Sequence, residues 1–304
     1  MVILPPGLEW WRHHPGGSDW LERLPRLVAE CSDRWSLGVG APFGGSNASL
    51  ALAATLPDGT AAVLKINFPD DESEREPDAL AHWNGRGAVR LLEHDPSLRA
   101  LLVERCHPGT QLWEIEDEEE ANRIAAGVLR RIWHAPPPDH RFLLLADVAA
   151  RWAEELPALW TQLRQPFERR IIDEAVAFVH ELAPTQRDLV LLHQDFHGGN
   201  VLRAQREEWL AIDPKPLVGE REFDAASLIR DRRDDLARDS EAAVRVRWRL
   251  DQLAAELGLD RERMRGWGIV HALAWGFSGT GMIATGSGKV EEDMIACARW
   301  LSAC

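Results

Sequence analysis

Two kinds of hydrophobic periodicity follow one another along the chain. A helical repeat over residues 18–31 is followed by short apolar runs that alternate with polar residues and are bounded by glycine and proline. These runs predict strands over residues 35–41, 47–55, 61–66, 89–93 and 100–104. A charged helix is predicted over residues 73–83. Beyond Pro108-Gly109, helical spacing predominates, over residues 118–134, 166–182, 240–257 and 262–276.

This change of period predicts an α+β protein with two lobes. Residues 1–107 are expected to form an N-lobe with an antiparallel sheet and one key helix, and residues 108–304 a mainly helical C-lobe, with a hinge at Pro108-Gly109. The length of 304 residues agrees with this division, because a single core rarely grows beyond roughly 250–300 residues. One stretch, residues 189–212, interrupts the helical part and is short, β-like and rich in turns.

Charge and composition restrict the classes of partner. The net charge of −14 disfavours nucleic acid and anionic membranes and favours a cationic ligand, although solubility explains an acidic surface equally well. The four cysteines form no CxxC pair and suit neither a zinc site nor a disulfide framework. The first residues, MVILPPGLEWW, do not resemble a signal peptide, and no apolar run reaches the roughly 18–20 residues of a membrane span. We therefore expect a cytoplasmic protein.

The densest polar cluster lies in residues 191–202, LLHQDFHGGNVL, and is followed by IDPK at residues 212–215. Its apolar flanks indicate a tight loop between buried strands. Phosphoryl transfer needs one carboxylate to orient the attacking hydroxyl, a second to hold the metal, and a neutral oxygen to complete the metal's ligands. Asp195, Asp213 and Asn200 supply that set.

Each of these residues also has a purely structural interpretation. Asp195 is a possible turn cap, Asn200 a residue in the left-handed conformation after two glycines, and Asp213 a strand-end residue before a proline. The HxDxH triplet at residues 193–197 also resembles a metal chelate, but no further ligand cluster accompanies it.

The string HQDFHGGN resembles the HxDxxxxN catalytic loop of aminoglycoside phosphotransferases and protein kinases. IDPKPLVGEREFDAASLIRDR, together with EPDALAHWNGRGAVRLLEHD and ALLVERCHPG upstream, is similar to the streptomycin and hydroxyurea phosphotransferase family. The likeness runs from about residue 38 to about residue 275. It implies a protein-kinase-like fold, ATP and Mg²⁺ as cofactors, and transfer of the γ-phosphate to an alcohol, with antibiotic resistance as a known role of such enzymes.

The resemblance also implies roles for the residues of this loop. Asp195 matches the catalytic base, and Asn200 and Asp213 match the magnesium ligands. His193 matches a histidine that supports the loop by hydrogen bonding, and Asp224 an aspartate that orders it.

On the nucleotide side, Lys65 matches the strand lysine that contacts the α and β phosphates, although a lone strand lysine is also a common surface residue. Glu76 is the expected partner of this lysine, with Glu74 and Glu72 as alternatives. The hinge at 104–106 would offer backbone groups to the adenine edge, and the residues concerned are Glu104 and Cys106.

A glycine-rich segment lies between the first two predicted strands. Gly44 and Gly45 would let backbone N–H groups approach phosphate oxygens, and Ser46 would add a hydroxyl. A plain β-hairpin turn would need the same glycines. The lysine that follows downstream favours a phosphate lid.

The acceptor site is expected in the C-lobe, lined by acids and aromatics that suit a cationic or polyhydroxy small molecule. The candidates are Asp231, Trp267, His271 and Trp275, with Asp147, Trp152 and Glu154 as further possibilities. The spacing of residues 267, 271 and 275 also fits a helix face in the core. The continuation GFSGTGMIATGSGK departs from the acidic sequence expected of a streptomycin kinase. The expected acceptor is therefore an unidentified aminoglycoside-, aminocyclitol- or sugar-like compound.

Two rival functions remain open at this point. The first is a metabolic kinase for an amino sugar or amino alcohol. The second is a nucleotide-binding pseudokinase with a regulatory role, which the presence of every catalytic group disfavours. A monomer or a dimer is expected in either case.

Overall fold

The computed structural model of the protein describes residues 4–44, 48–71, 73–278 and 290–304. Helix α1 spans Gly17–Trp35 and buries one apolar stripe that includes Trp20, Leu24 and Leu27. It ends at Ser36, which adopts the left-handed conformation and donates its N–H to the carbonyl of Ser32. The strand predicted from residue 35 therefore begins at Gly38.

The sheet of the N-terminal part follows α1. In chain order its elements are β1 (Gly38–Pro42), β2 (Ser49–Thr55), β3 (Ala61–Asn67), helix α2 (Glu76–Trp83), β4 (Leu91–Asp95) and β5 (Ala100–Glu104). The strand order is β1-β2-β3-β5-β4, and every neighbouring pair is antiparallel. Helix α2 begins later than the predicted residue 73, and Pro77 lies in its first turn, where proline is well tolerated.

The register of β2 and β3 decides which way Lys65 points. Leu52 pairs with Leu64 and Leu50 pairs with Ile66, and all four side chains are buried against α1. Because side chains alternate along a strand, Lys65 lies on the opposite face of the sheet, away from α1. That face is turned toward α2 and the C-terminal part.

The C-terminal part is mainly helical. Its elements are α3 (Glu118–Ile132), β6 (Leu143–Leu144), α4 (Leu145–Gln162), α5 (Arg169–Leu182), β7 (Val190–Leu192), β8 (Val201–Arg203), β9 (Trp209–Ala211), β10 (Leu217–Gly219), α6 (Arg221–Asp224), α7 (Ala226–Ile229), α8 (Arg233–Leu236), α9 (Ala242–Leu257), α10 (Arg261–Ser278) and α11 (Glu292–Ser302). The short strands β7 to β10 coincide with the turn-rich stretch and its continuation, as predicted. The predicted α+β class, an antiparallel sheet followed by helices, is confirmed.

Two longer helices, α4 and α11, were not predicted. Pro157 lies inside α4, and the helix continues through it because its apolar face, including Trp152 and Leu156, packs into the core. The glycine-rich sequence before α11 carries no helical period.

Two clusters of buried apolar side chains hold the fold. The smaller lies between α1 and the sheet. The larger joins Leu80 and Trp83 of α2 and Val103 of β5 to the helices of the C-terminal part. The lobe boundary between residues 107 and 108 stays a prediction.

Two further expectations concern the environment of the chain. Among the helices of the described ranges, none combines the length and apolar character needed to cross a membrane. All four cysteines lie in described parts of the chain, and each is a free thiol.

Candidate active site

Lys65 connects the sheet to the loop after β9. Its ammonium group lies 2.6 Å from both carboxylate oxygens of Glu76 and 2.6 Å from Oδ1 of Asp213. Asn67 donates its side-chain N–H to Glu76 at 2.8 Å, which fixes the carboxylate further. Burial would lower the pKa of Lys65, but Asp213 and Glu76 raise it, so the amine is charged. Glu74, an alternative partner, pairs instead with Arg75.

The loop after β7 is held by one buried carboxylate. Asp224, which has no exposed surface, accepts the backbone N–H groups of His193 and Gln194 and the indole N–H of Trp133. Gln194 adopts a positive φ of 67°, which is uncommon for a residue other than glycine. Nε2 of His193 lies 2.9 Å from the carbonyl oxygen of Ile212 and ties the loop to the strand that precedes Asp213.

This framework brings Asp195, Asn200 and Asp213 together. Asn200 donates its side-chain N–H to the backbone carbonyl of Asp195 at 3.0 Å and lies 3.4 Å from its carboxylate. The backbone carbonyl of Asn200 accepts the N–H of Ile212 at 2.9 Å, so Asp213 follows directly beside it. Asp213 itself has a positive φ of 57°. Such strained backbone is often found at functional sites.

Trp113 closes over the glycines of the loop. Its ring stacks on His197 at 4.9 Å, and its indole N–H donates to Asp231. Asp231 also accepts the backbone N–H of Gly198 at 2.7 Å. A Cβ atom at Gly198 would lie 2.5 Å from the Trp113 ring, and one at Gly199 would lie 2.7 Å from it. Both positions therefore need glycine because of this close approach.

The ring of His193 contacts the backbone rather than the other residues of the HxDxH triplet. Nε2 of His193 faces the Ile212 carbonyl rather than Asp195 or His197. Within the described ranges, no group of three or more histidine, cysteine, aspartate or glutamate side chains is arranged to hold a metal ion.

Comparisons with known proteins show the family of the chain. A model of the family described as "Aminoglycoside/hydroxyurea antibiotic resistance kinase" matches residues 34–280. The chain belongs to this family. It is thus a small-molecule kinase that uses ATP, which confirms the predicted family and enzyme class.

Relatives and solved structures agree with this assignment. The chain is 40% identical over 251 residues to streptomycin 6-kinase of Streptomyces glaucescens, covering 83% of this chain and 81% of that one. It is also 40% identical over 253 residues to hydroxyurea phosphotransferase of Kitasatospora aureofaciens, covering 83% and 72%. The structure of aminoglycoside phosphotransferase APH(3'')-Id from Streptomyces rimosus, in complex with ADP and streptomycin, superimposes with a TM-score of 0.57 at 16% identity, covering 84% of this chain and 99% of that one. The two-lobe, protein-kinase-like fold is confirmed.

In this kinase, two cations and a histidine surround Asp195. Nζ of Lys215 lies 3.8 Å from its Oδ2, a guanidinium nitrogen of Arg230 lies 3.9 Å from its Oδ1, and Nε2 of His197 lies 3.8 Å from Oδ1. Burial alone would raise the pKa of Asp195, but Lys215, His197 and Arg230 together hold it well below its usual value. Asp195 is therefore a carboxylate at any physiological pH.

Two of the four candidate acceptor residues are already engaged in hydrogen bonds, and the other two lie near Asp195. Asp231 is engaged by Gly198 and Trp113, and Trp267 is buried with its indole N–H donated to Glu220. His271 and Trp275 stack on each other at 5.0 Å and lie next to the cations beside Asp195.

The further acceptor possibilities lie on or near α4. Asp147 and Glu154 are exposed, and Trp152 is buried against Phe223 at 6.1 Å. Trp152 also lines a small cavity of about 20 Å³ with Gln194 and Lys215. As acceptor residues, all of these candidates stay predictions.

The predicted nucleotide residues are only partly described. Glu104 is bound by Arg206 at 2.9 Å, and Cys106 is buried, which raises the pKa of its thiol to about 12. Gly44 lies just after β1, whereas Gly45 and Ser46 lie outside the described residues, as does Glu72.

Sequence reasoning assigned no role to three residues that surround the site. Lys215 and Arg230 lie in the string IDPKPLVGEREFDAASLIRDR, which is similar to the family. The sequence shows both residues but does not show that their side chains point toward Asp195. Trp113 had no local signal, because its partners are far away along the chain.

Proposed function

We propose that this kinase transfers the γ-phosphate of ATP to a hydroxyl group of an aminoglycoside- or aminocyclitol-like acceptor. The observation that carries the proposal is the convergence of Asp195, Asn200 and Asp213 beside the Lys65–Glu76 pair. The names of the relatives support the acceptor class.

Asp195 is the proposed base. It would accept a hydrogen bond from the acceptor hydroxyl and orient its oxygen toward the γ-phosphorus. As the new P–O bond forms, the hydroxyl proton passes to Asp195, and the bond from the γ-phosphorus to the β,γ-bridging oxygen breaks, leaving its electron pair on ADP. Its low pKa makes Asp195 a weak base, so positioning contributes more than proton abstraction.

Lys65 would contact the α and β phosphates, with Glu76 keeping its ammonium group in place. Its third contact is to Asp213, the proposed metal ligand. We further propose that the 104–106 segment, with Glu104 and Cys106, presents backbone groups to the adenine.

The donor set fits a magnesium ion. Asp213 supplies a carboxylate, and Asn200 uses its amide N–H for the Asp195 carbonyl, which leaves the amide oxygen for a metal. Magnesium takes hard oxygen ligands and is usually held by one or two carboxylates together with phosphates. When bound, it would neutralise charge on the phosphates.

The remaining proposals concern the acceptor side of the site, the lobe boundary and the cellular location. The four candidates Asp231, Trp267, His271 and Trp275 are proposed to shape the acceptor side, directly or through their neighbours. We propose a lobe boundary between residues 107 and 108 and a cytoplasmic location, which four free thiols and the use of ATP support.

A panel assay tests the acceptor class. Purified protein is incubated with Mg-ATP and streptomycin, spectinomycin, hydroxyurea, an amino sugar or choline, and phosphorylated product is followed by mass spectrometry. Turnover of an aminoglycoside or aminocyclitol at the highest kcat/KM is the expected result. Preference for the amino sugar or choline would favour a metabolic kinase. Nucleotide binding without any turnover or basal ATPase activity would favour the pseudokinase.

A further inference from the structure

Arg230 is an unusual neighbour for a catalytic carboxylate. It is 6% exposed, and its guanidinium lies 3.9 Å from Oδ1 of Asp195, beyond hydrogen-bond distance. A structural salt bridge between arginine and carboxylate is normally a close, often bidentate contact. This arrangement instead keeps the two charges near each other without joining them.

Neutral groups hold the guanidinium in this position. Arg230 donates from Nε to Nδ1 of His271 at 3.4 Å and from Nη2 to the hydroxyl of Ser227 at 3.3 Å. Ser227 in turn donates to the backbone carbonyl of Gln194, next to Asp195, at 2.8 Å. The ring of Trp275 lies 5.2 Å from the guanidinium carbon. The cation is thus oriented by the catalytic loop itself and by α10.

The charge beside Asp195 is complementary to an anion. Arg230 and Lys215 approach different oxygens of the one carboxylate, so two positive side chains face a single negative one at Asp195. A hydroxyl bound to Asp195 and aligned with the γ-phosphorus would place that phosphorus about 6 Å from the carboxylate, by adding a hydrogen bond to a near-attack distance of ~3 Å. The phosphoryl group and the guanidinium would then approach the same carboxylate, from which the guanidinium lies 3.9 Å away.

We propose that Arg230 is a catalytic residue of this kinase, which contacts the phosphoryl group during transfer and stabilises its negative charge. The proposal rests on the proposed function, because it takes Asp195 as the residue that binds the acceptor. Arg230 is supplied by the chain itself and oriented in advance, so little reorganisation is needed when charge develops. Lys215 adds a second positive charge near Asp195.

A transition-state mimic tests this role without requiring a known acceptor. The affinity of the protein is measured for MgADP alone and for MgADP with aluminium fluoride. Aluminium fluoride imitates the phosphoryl group in the transition state of the transfer. Wild-type protein should bind MgADP more tightly when aluminium fluoride is present. Arg230→Gln should bind MgADP with wild-type affinity but lose about 100-fold or more of the tightening, the usual effect of removing one such donor.

Two further variants keep the result interpretable. Arg238→Gln removes a mostly exposed arginine of the same region, whose side chain is 78% exposed, and should retain the full tightening. Arg230→Lys keeps the charge but loses the planar donors, and it should lose most of the tightening. If Arg230→Gln does not fold, the lysine variant carries the test.

The outcomes separate this inference from the proposed function. Full tightening in a folded Arg230 variant, or a variant that raises only the KM of the acceptor, would overturn the role of Arg230. Absence of any tightening in the wild-type protein would do the same. Failure of the wild-type protein to phosphorylate any compound of the panel would instead remove the proposed function.

Discussion

The carboxylate of Asp224 accepts the backbone N–H of Gln194 at 2.7 Å and so stabilises the positive φ of the residue that precedes Asp195. One buried side chain thereby sets the direction of the loop that carries Asp195. Burial raises the pKa of Asp224, whereas His193 and the hydrogen bonds that it accepts lower it. Asp224 therefore acts here as an acceptor of hydrogen bonds.

Asp224→Ala should destabilise the protein and slow catalysis. It leaves the N–H groups of His193, Gln194 and Trp133 without their acceptor, at ~1–3 kcal/mol for each buried donor. Urea unfolding and the basal rate of ATP hydrolysis measure the two effects. Asp235→Ala removes a carboxylate that is 66% exposed and should change stability by less than ~0.5 kcal/mol. Equal stability of the two variants would show that Asp224 does not order the loop.

Gly198→Ala should lower kcat. The barrier to phosphoryl transfer should rise by more than the free energy of unfolding falls. The new methyl group would lie 2.5 Å from the Trp113 ring, so either the ring or the turn that carries Asn200 must move. Trp113→Ala in the same chain should recover part of the rate. Gly127→Ala is the matched control, because nothing lies within 4 Å of a Cβ there and the residue is inside α3. An unchanged kcat in Gly198→Ala would contradict the close approach of Trp113.

Lys65→Met should cost ~3–5 kcal/mol of stability, because it leaves Glu76 buried without its cation. Lys65→Met combined with Glu76→Leu should recover much of that loss, although both variants should bind ATP poorly. Chemical denaturation measures the stability difference. The exposed pair Arg169–Asp173 serves as control, with a coupling of only ~0.3–0.5 kcal/mol. A double variant that is less stable than the single one would rule out this electrostatic account.

His271 should make stability fall in mild acid. Burial first, and then Arg230, lower the pKa of His271 well below 6.5, so the folded state keeps it neutral. The unfolded chain gains the proton as the pH falls through about 6.5, and each further pH unit then removes up to ~1.4 kcal/mol, until the folded pKa is reached. His271→Asn, which can still accept from Arg230, should show a shallower loss between about pH 6.5 and 5.

The control for the pH experiment is His180→Asn, which removes an exposed imidazole at the end of α5. The substitution should change the unfolding free energy by less than ~0.5 kcal/mol, as is usual at exposed sites. A His271→Asn variant with the wild-type slope would mean that this imidazole is protonated in the folded protein.

The proximity of Asp195, Asn200 and Asp213 could be predicted from the sequence because these residues are close neighbours in the chain. Asp195 and Asn200 share one turn, and Asp213 follows after a single hairpin. The positions of α1, α3, α5, α9 and α10 followed from helical periodicity with shifts of a few residues at their ends.

Other features depend on tertiary contacts and left no local pattern. Helix α4 continues through Pro157 because the core compensates for the lost hydrogen bond. Arg230 and Trp113 reach the loop from distant segments, and a one-dimensional pattern does not show which way such side chains point. The sequence also did not show that Lys215 and Arg230 would lie beside Asp195.

The most direct test of the account is the rate of phosphoryl transfer by Asp195→Asn, with Mg-ATP and the best acceptor of the panel. The asparagine preserves the shape of the side chain but is neutral, so it holds the acceptor hydroxyl more weakly and accepts no proton. We expect kcat to fall by about 1,000-fold or more, while the affinity for Mg-ATP stays within a few-fold of wild type. A kcat close to the wild-type value in this variant would contradict the central claim that Asp195 positions and deprotonates the acceptor hydroxyl.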